Sequence, residues 1–297
     1  YLPLYLSNLC ANECDYCGFS MSNKLKRKVL NEQELAAEMA IIKSRGFDSI
    51  LLVSGEHETK VGMDYFQRVL PLVKQQFSYV AMEVQPLEDI DYRQLVERGL
   101  DAVMVYQETY QAATYAKHHT RGKKQDFAYR LATPDRVARA GIDKIGLGVL
   151  LGLDDWRLDA LLMGHHLDYL ERHYWRTRFS ISLPRLRPCT GGITPKVHLT
   201  DLGLVQMICA FRLFNQQLDI SLSTREAPSL RDNLLPLGIT QMSAGSSTQP
   251  GGYQAPDSQL DQFEISDERT VEQVISQMRL KGFNPVFKDW ESAWIAC

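Results

Sequence analysis

The stretch Leu4-Tyr5-Leu6-Ser7-Asn8-Leu9-Cys10-Ala11-Asn12-Glu13-Cys14-Asp15-Tyr16-Cys17 sets a short apolar run directly before three thiols crowded into eight positions. The number three matters. A structural zinc site closes its tetrahedron with four protein ligands, and an electron-carrier iron-sulfur cluster usually takes four cysteines. Three cysteines in one loop leave one iron of a [4Fe-4S] cluster without a protein ligand and open to a small molecule. Cys189, Cys209 and Cys297 are isolated from one another and carry no expected catalytic role. Six cysteines in 297 residues are too few for a disulfide scaffold, so reduced thiols and metal binding are expected.

Outward from that loop, β-branched or apolar runs alternate with longer segments of helical period. The strand-like runs are Leu4 to Ser7, Ser49 to Ser54, Tyr79 to Val84, Ala102 to Tyr106, Lys144 to Leu150, Phe179 to Leu183, Leu218 to Leu222 and Gly238 to Met242. Between them, Asn31 with Glu34 three residues on has the form of a capping box, followed by Leu35, Met39 and Ile42 at helical spacing. Further helices fit Tyr65 to Gln76, Tyr92 to Arg98, Phe127 to Ala140, Trp156 to Tyr174, Asp201 to Asn215, Pro228 to Leu235 and Val271 to Leu280, and Gly46, Gly99 and Gly141 are placed to end helices. Eight strand-helix units predict parallel strands in a closed α/β structure, a (β/α)8 TIM-type barrel. A single domain over 1–297 is expected, with 243–297 forming a long loop after the eighth strand and a helical closure. Because Tyr1 already stands beside a strand, an upstream segment is expected to be missing from the chain.

With 44% hydrophobic residues, 23% charged and a net charge of -3, the composition is that of a globular protein and gives no sign of a polyanion partner. No apolar run approaches the ~20 residues that cross a bilayer, so no membrane role and a cytoplasmic location are expected. The basic run Lys24-Leu25-Lys26-Arg27-Lys28 reads as a solvated loop or a docking patch for an electron donor, and not as a nucleic-acid site. Neither His118-His119 nor His165-His166 is given a role, since adjacent residues on a helix do not face one target.

Active sites of such barrels form at the C-terminal ends of the strands. Ser54-Gly55-Glu56, Gln107-Glu108-Thr109, Pro184-Arg185-Leu186-Arg187, Ser223-Thr224-Arg225-Glu226 and Ser243-Ala244-Gly245-Ser246 each follow a predicted strand and share one mouth with the three cysteines. The spacing Cys-x3-Cys-x2-Cys, with an aromatic before the last thiol, resembles the signature of radical S-adenosylmethionine (SAM) enzymes. The segments Gly62-Met63-Asp64-Tyr65, Val105-Tyr106-Gln107-Glu108-Thr109-Tyr110, Leu222-Ser223-Thr224-Arg225-Glu226 and Gln249-Pro250-Gly251-Gly252-Tyr253 narrow the likeness to the 2-iminoacetate synthases, the tyrosine lyases of anaerobic thiamine thiazole synthesis.

That resemblance implies a [4Fe-4S] cluster on Cys10, Cys14 and Cys17, SAM on its open iron, and L-tyrosine as substrate. It also implies two protein partners, a thiazole synthase and a flavodoxin- or ferredoxin-type electron donor. The products implied are 2-iminoacetate, p-cresol, methionine and 5'-deoxyadenosine. Tyr16 would lie near the adenine, with Ser54 in place of the first glycine of the family's Gly-Gly-Glu segment and Glu56 on the SAM ammonium. Glu108 suits the ribose hydroxyls and Arg130 the SAM carboxylate. Arg225 is the candidate clamp for the tyrosine carboxylate, because a guanidinium matches a carboxylate in two-pronged geometry. Ser243 and Arg185 are further candidates for substrate contact. Three competing assignments stand beside this one. They are a zinc knuckle completed by His57 or His119, a non-enzymatic iron-sulfur module, and the tyrosine lyase that matures [FeFe]-hydrogenase. The last carries a second cysteine set, whereas after Tyr253 this sequence holds Cys297 alone.

Overall fold

The computed structural model describes residues 1–287. In chain order the elements are β1 Leu2–Ser7, β2 Glu13–Cys14, α1 Glu32–Ser44, β3 Ser49–Ser54, α2 Met63–Lys74, β4 Tyr79–Glu83, α3 Asp89–Glu97, β5 Ala102–Met104, α4 Ala112–His118 and β6 His119–Arg121. They continue with α5 Phe127–Leu131, α6 Thr133–Arg139, β7 Lys144–Gly148, α7 Trp156–His173, β8 Arg178–Ser182, α8 Asp201–Phe214, β9 Asp219–Leu222, α9 Pro228–Leu234, β10 Gln241–Met242 and α10 Val271–Leu280. Among the described residues no helix is long and apolar enough to cross a membrane. Cys297 lies outside the described residues.

Eight strands pair in parallel in the order β1-β3-β4-β5-β7-β8-β9-β10 and curl into a half-barrel. All six residues of β3 are buried, as expected of a parallel strand covered on both faces. Alternate side chains go to opposite layers. Leu4, Leu52, Val80, Val103, Ile145 and Ile181 join the large core beneath the helices, while Tyr5, Leu51, Val53, Tyr79, Ala81 and Ala102 form a second cluster with Phe19. The expected capping box is present. Glu34 N donates to Asn31 Oδ1 at 2.9 Å and Asn31 N donates to Glu34 Oε2 at 3.0 Å, an arrangement that contributes about 1 kcal/mol to starting α1.

The structure departs from the sequence-based expectation in three places. The barrel was expected to close, yet among the described strands β10 pairs only with β9, and across the seam Tyr1 N donates to Met242 O at 3.2 Å without forming a strand ladder. The eighth strand shrinks to two residues because the 3-10 turn Leu235–Leu237 and a left-handed Gly238 (φ 104°) use up the run that precedes it. The helix expected over Phe127 to Ala140 breaks at Ala132, since Pro134 has no N–H to continue the ladder and opens a new helix instead. α4 and the antiparallel pair β2/β6 were not anticipated, strands of two and three residues being too short to show a period.

The segment after β10 returns across the seam. Tyr253 donates its hydroxyl to Pro3 O at 2.6 Å, and Glu38 on α1 accepts from the backbone of Tyr253 and Gln254. Further on, Gln262 reaches the cysteine loop, where its carbonyl accepts from Gly18 N at 3.0 Å. Arg231, fully buried, ties the segment to α9 through Asp267 and the carbonyl of Ser243.

Candidate active site

The cysteine loop is braced from both ends. Asn8 bonds Lys26 O and Lys28 N at 2.8 and 2.7 Å, and Arg27 donates to the carbonyls of Asn8, Phe19, Ser20 and Asn23. The basic run is therefore a strap around the loop, and its arginine is spent inside the fold. Gly55 packs so tightly on Leu9 that a Cβ there would strike the Leu9 carbonyl, which brings the end of β3 against the loop.

The adjacent histidines also have work that the sequence did not suggest. α4 stops at His118 and the chain turns into β6, so the two rings do not share a helix face. His118 Nδ1 lies 2.9 Å from Asp15 Oδ1, and His119 Nε2 lies 2.6 Å from the Tyr16 hydroxyl. His119 Nδ1 faces the Tyr115 carbonyl at 2.7 Å, so that nitrogen carries the proton and Nε2 accepts from Tyr16. Burial, with Lys124 close by, pushes the imidazole down to about 2 and keeps it neutral. With both nitrogens engaged, His119 has no lone pair for a zinc ion. His166 shares a hydrogen bond of 2.9 Å with Tyr110, away from the cysteines.

Cys10, Cys14 and Cys17 open into one cavity of about 180 Å³ at the C-terminal ends of the strands. Tyr16, Ser54, Glu56, Glu108, Arg130, Arg225 and Ser243 line the same cavity; Arg185 is not among its lining residues. Burial pushes the Cys10 thiol up to about 11, and it raises Cys14 and Cys17 as well. Thiolates in such a place need a cationic partner, which iron supplies. Among the described residues no three His, Cys, Asp or Glu side chains are drawn around a single ion, whereas the thiolates of an iron-sulfur cube each take their own iron.

The charges around the mouth are largely paired. Glu56 accepts from Arg130 Nη1 at 3.0 Å and from Asn12 Nδ2 at 2.7 Å. Burial alone would raise its carboxyl, but Arg130 and Lys124 outweigh burial and hold it below the ordinary range. Glu108 accepts from Lys124 Nζ at 2.7 Å, and the same balance holds its carboxyl down. Its backbone sits at φ 68°, a left-handed conformation that a non-glycine residue adopts at a cost of about 1–3 kcal/mol and that turns the side chain toward the cavity's cations. Arg130 also donates Nε to Tyr106 O at 2.7 Å.

Arg225 differs from these. Its guanidinium stacks 3.5 Å over the Phe263 ring, and Nη1 reaches Arg185 O at 3.4 Å. Among the described residues it has no carboxylate partner. Arg185 itself is held by Glu226 and by Asp201 at 2.8 Å, which leaves it as a support for the Arg225 loop. Ser243 is engaged through its hydroxyl with Tyr1 and through its carbonyl with Arg231. The Ser54 hydroxyl is buried without a partner among the described residues.

Sequence reasoning passed over Asn12, Glu83, Lys124, Gln262 and Phe263. Glu83 had a signal: a single acid inside the apolar run Tyr79-Val80-Ala81-Met82-Glu83-Val84 that ends a strand. Gln262 bonds the Tyr5 hydroxyl at 2.7 Å and Cys17 Sγ at 3.6 Å from a segment distant in sequence, and Lys124 sits in a loop; neither had a local mark.

A parallel half-barrel with a three-cysteine loop after its first strand and paired acids and bases around the mouth defines a radical SAM enzyme. The model of the Radical SAM superfamily matches residues 4–163, and that of the Biotin and Thiamin Synthesis associated domain matches residues 182–284. The 2-iminoacetate synthase of Escherichia coli is 57% identical over 98% of this chain and 78% of its own length; that of Salmonella typhimurium is 55% identical over 99% and 78%. The chain belongs to the 2-iminoacetate synthase family of radical SAM enzymes. Membership implies a [4Fe-4S] cluster and SAM as cofactors, and the three thiols and the Glu56–Arg130 pair fit them. Among solved structures, the [FeFe]-hydrogenase maturase HydG superposes with a TM-score of 0.92 at 32% identity, over 97% of this chain and 64% of that one. HydG from Carboxydothermus hydrogenoformans gives a TM-score of 0.91 at 33% identity, over 97% of this chain and 67% of that one.

Proposed function

We propose that this protein cleaves the Cα–Cβ bond of L-tyrosine to 2-iminoacetate and p-cresol, with SAM consumed to methionine and 5'-deoxyadenosine, and that the imine is used to build the thiamine thiazole. The observation that carries this is the 57% identity to a curated 2-iminoacetate synthase, sustained over 98% of the chain. When bound, the cluster and SAM supply the one-electron chemistry that removes a hydrogen atom from the substrate amino group.

The chain's own side chains bind and orient. Cys10, Cys14 and Cys17 hold the cluster. Glu56 and Arg130, now paired with each other at 3.0 Å, suit the ammonium and carboxylate of SAM, and Glu108 suits its ribose. His119 fixes the Tyr16 phenol, so that the aromatic ring stands at a set angle beside the SAM site. Arg225 takes the tyrosine carboxylate; holding that end sets the amino group near the reacting carbon, where small misplacement costs rate steeply. The consumed electron calls for a flavodoxin- or ferredoxin-type donor, and the reactive imine calls for a nearby thiazole synthase. Thiols that must stay reduced suit the cytosol.

Reduced, anaerobic protein given SAM and tyrosine is expected to release p-cresol together with glyoxylate, the hydrolysis product of the imine. Cleavage of tryptophan instead, or 5'-deoxyadenosine without p-cresol, overturns the assignment. Arg225→Ala is expected to weaken tyrosine use by roughly 100-fold while iron content stays at the wild-type level. Equal loss of both would make the arginine a structural group.

A further inference from the structure

Six charged side chains line the cavity at the strand ends: Glu56, Glu83, Glu108, Lys124, Arg130 and Arg225. Four of them form two ion pairs, Glu56 with Arg130 and Glu108 with Lys124. Among the described residues, Glu83 and Arg225 are left without counter-ions in the same cavity, one of each sign. We infer that Glu83 receives the ammonium group of the substrate amino acid and takes a proton from it, opposite the arginine that takes the carboxylate. This rests on the lyase reading above.

Glu83 is the last residue of β4, its backbone held in register with Val53 of β3, so its carboxylate stands on a rigid element. The groups that face it are Tyr1 and Tyr5 on the β1 side, Tyr106 and Glu108 after β5, Lys124 and Arg130 beyond β6, and Arg225 after β9. Burial, helped by Glu108, raises its carboxyl to about 7, against the pull of Arg225, Lys124 and Arg130. An unpaired carboxylate in such a place is costly, and an arriving ammonium removes the cost. A carboxyl poised near neutrality is also suited to exchange a proton with an amine at working pH. In that exchange an N–H bond breaks, an O–H bond forms on Glu83, and the electron pair stays on nitrogen. The amine becomes neutral, and no oxidant or reductant is needed. The proton leaves to solvent when the site next exchanges ligands. A neutral amine gives up a hydrogen atom without placing a radical on an already cationic nitrogen.

The test compares binding of tyrosine, its desamino analogue 3-(4-hydroxyphenyl)propanoate, and phenylalanine to cluster-loaded protein by calorimetry, in wild type, Glu83→Gln and Glu83→Asp. Glu83→Gln is expected to weaken tyrosine binding roughly 10-fold or more, as expected for losing a charge-assisted hydrogen bond. Binding of the desamino analogue should hold within about 2-fold, so that discrimination for the amine collapses. Glu83→Asp should keep that discrimination. In p-cresol assays, Glu83→Gln should gain activity as pH rises through the amine's own range, where tyrosine arrives unprotonated, while the wild type should not. Intact discrimination in Glu83→Gln overturns the inference. So does loss of the preference for tyrosine over phenylalanine in place of the amine preference, which would put Glu83 at the phenol end. A flat pH profile in Glu83→Gln overturns the proton transfer. If wild type shows the amine discrimination but makes no p-cresol, the lyase reading fails and the binding result stands.

Discussion

Glu83 and His119 show opposite ways of keeping a group in a dry mouth. His119 stays neutral with both nitrogens satisfied, whereas among the described residues Glu83 has no counter-ion for its carboxylate. The energetic consequence for Glu83 has a definite sign. Its folded-state pKa, about 7, lies above the usual carboxylate value of 4.5, so between those limits the folded form holds a proton that the unfolded chain releases. Stability from this group is full at low pH and is lost as pH rises through 7. Ligand-free Glu83→Gln should therefore melt higher than wild type above about pH 7.5, by roughly a few degrees, and the gain should fade toward pH 5. A melting curve for each at both pH values decides it; a lower melting temperature at high pH would mean the carboxylate is paired. Why Glu56, Glu108 and Arg225 were legible from sequence while Glu83 was not follows from position. The first three stand just past strands, where a polar residue is conspicuous, but Glu83 lies inside an apolar run, a mark that singles out one acid without showing that it faces the mouth.

At the scale of elements, the two-residue β2 and three-residue β6 hold the cysteine loop although neither would pair alone. Their pairing rests on side chains around them, chiefly His118 on Asp15 and His119 on Tyr16. Removing the Tyr16 hydroxyl leaves a buried acceptor unsatisfied, and removing the imidazole leaves a buried hydroxyl unsatisfied; each costs about 1–3 kcal/mol. Tyr16→Phe and His119→Leu are each expected to destabilise by that amount, and the double variant by less than their sum. Denaturation of the four proteins measures the coupling, and strict additivity would show that the bond contributes nothing. α1 was anticipated because Asn31, Glu34 and the apolar stripe lie within one stretch of chain. The break at Ala132 was marked in the sequence by Pro134, but a single period over Phe127 to Ala140 masked it.

Over the whole molecule, closure of the half-barrel depends on the segment after β10 more than on strand pairing. No strand ladder spans the seam, where Tyr1 N reaches Met242 O and the Tyr1 phenol meets Ser243, while the returning segment places Gln262 and Phe263 at the mouth and is anchored by the buried Arg231–Asp267 pair. Breaking a buried pair leaves an uncompensated charge, at a cost of about 3–5 kcal/mol. Asp267→Asn should lower the melting temperature and also speed loss of iron to a chelator, because the segment that covers Cys17 loosens with its anchor. Lower stability with an unchanged rate of iron loss would separate the anchor from the site.

What the sequence determined by itself was the alternation of strand and helix, the three-cysteine loop, and which polar residues stand just past a strand, because periods, caps and motif spacings are properties of near neighbours along the chain. The tertiary structure decided how those residues are used. Whether a charge at the mouth is spent or free depends on which strand ends converge. Arg185 turned out to be occupied, Glu56 and Arg130 to hold each other, and Glu83 and Arg225 to stand in one cavity without counter-ions among the described residues. No stretch of sequence contains that information, since the partners lie far apart along the chain and meet only where the strand ends converge.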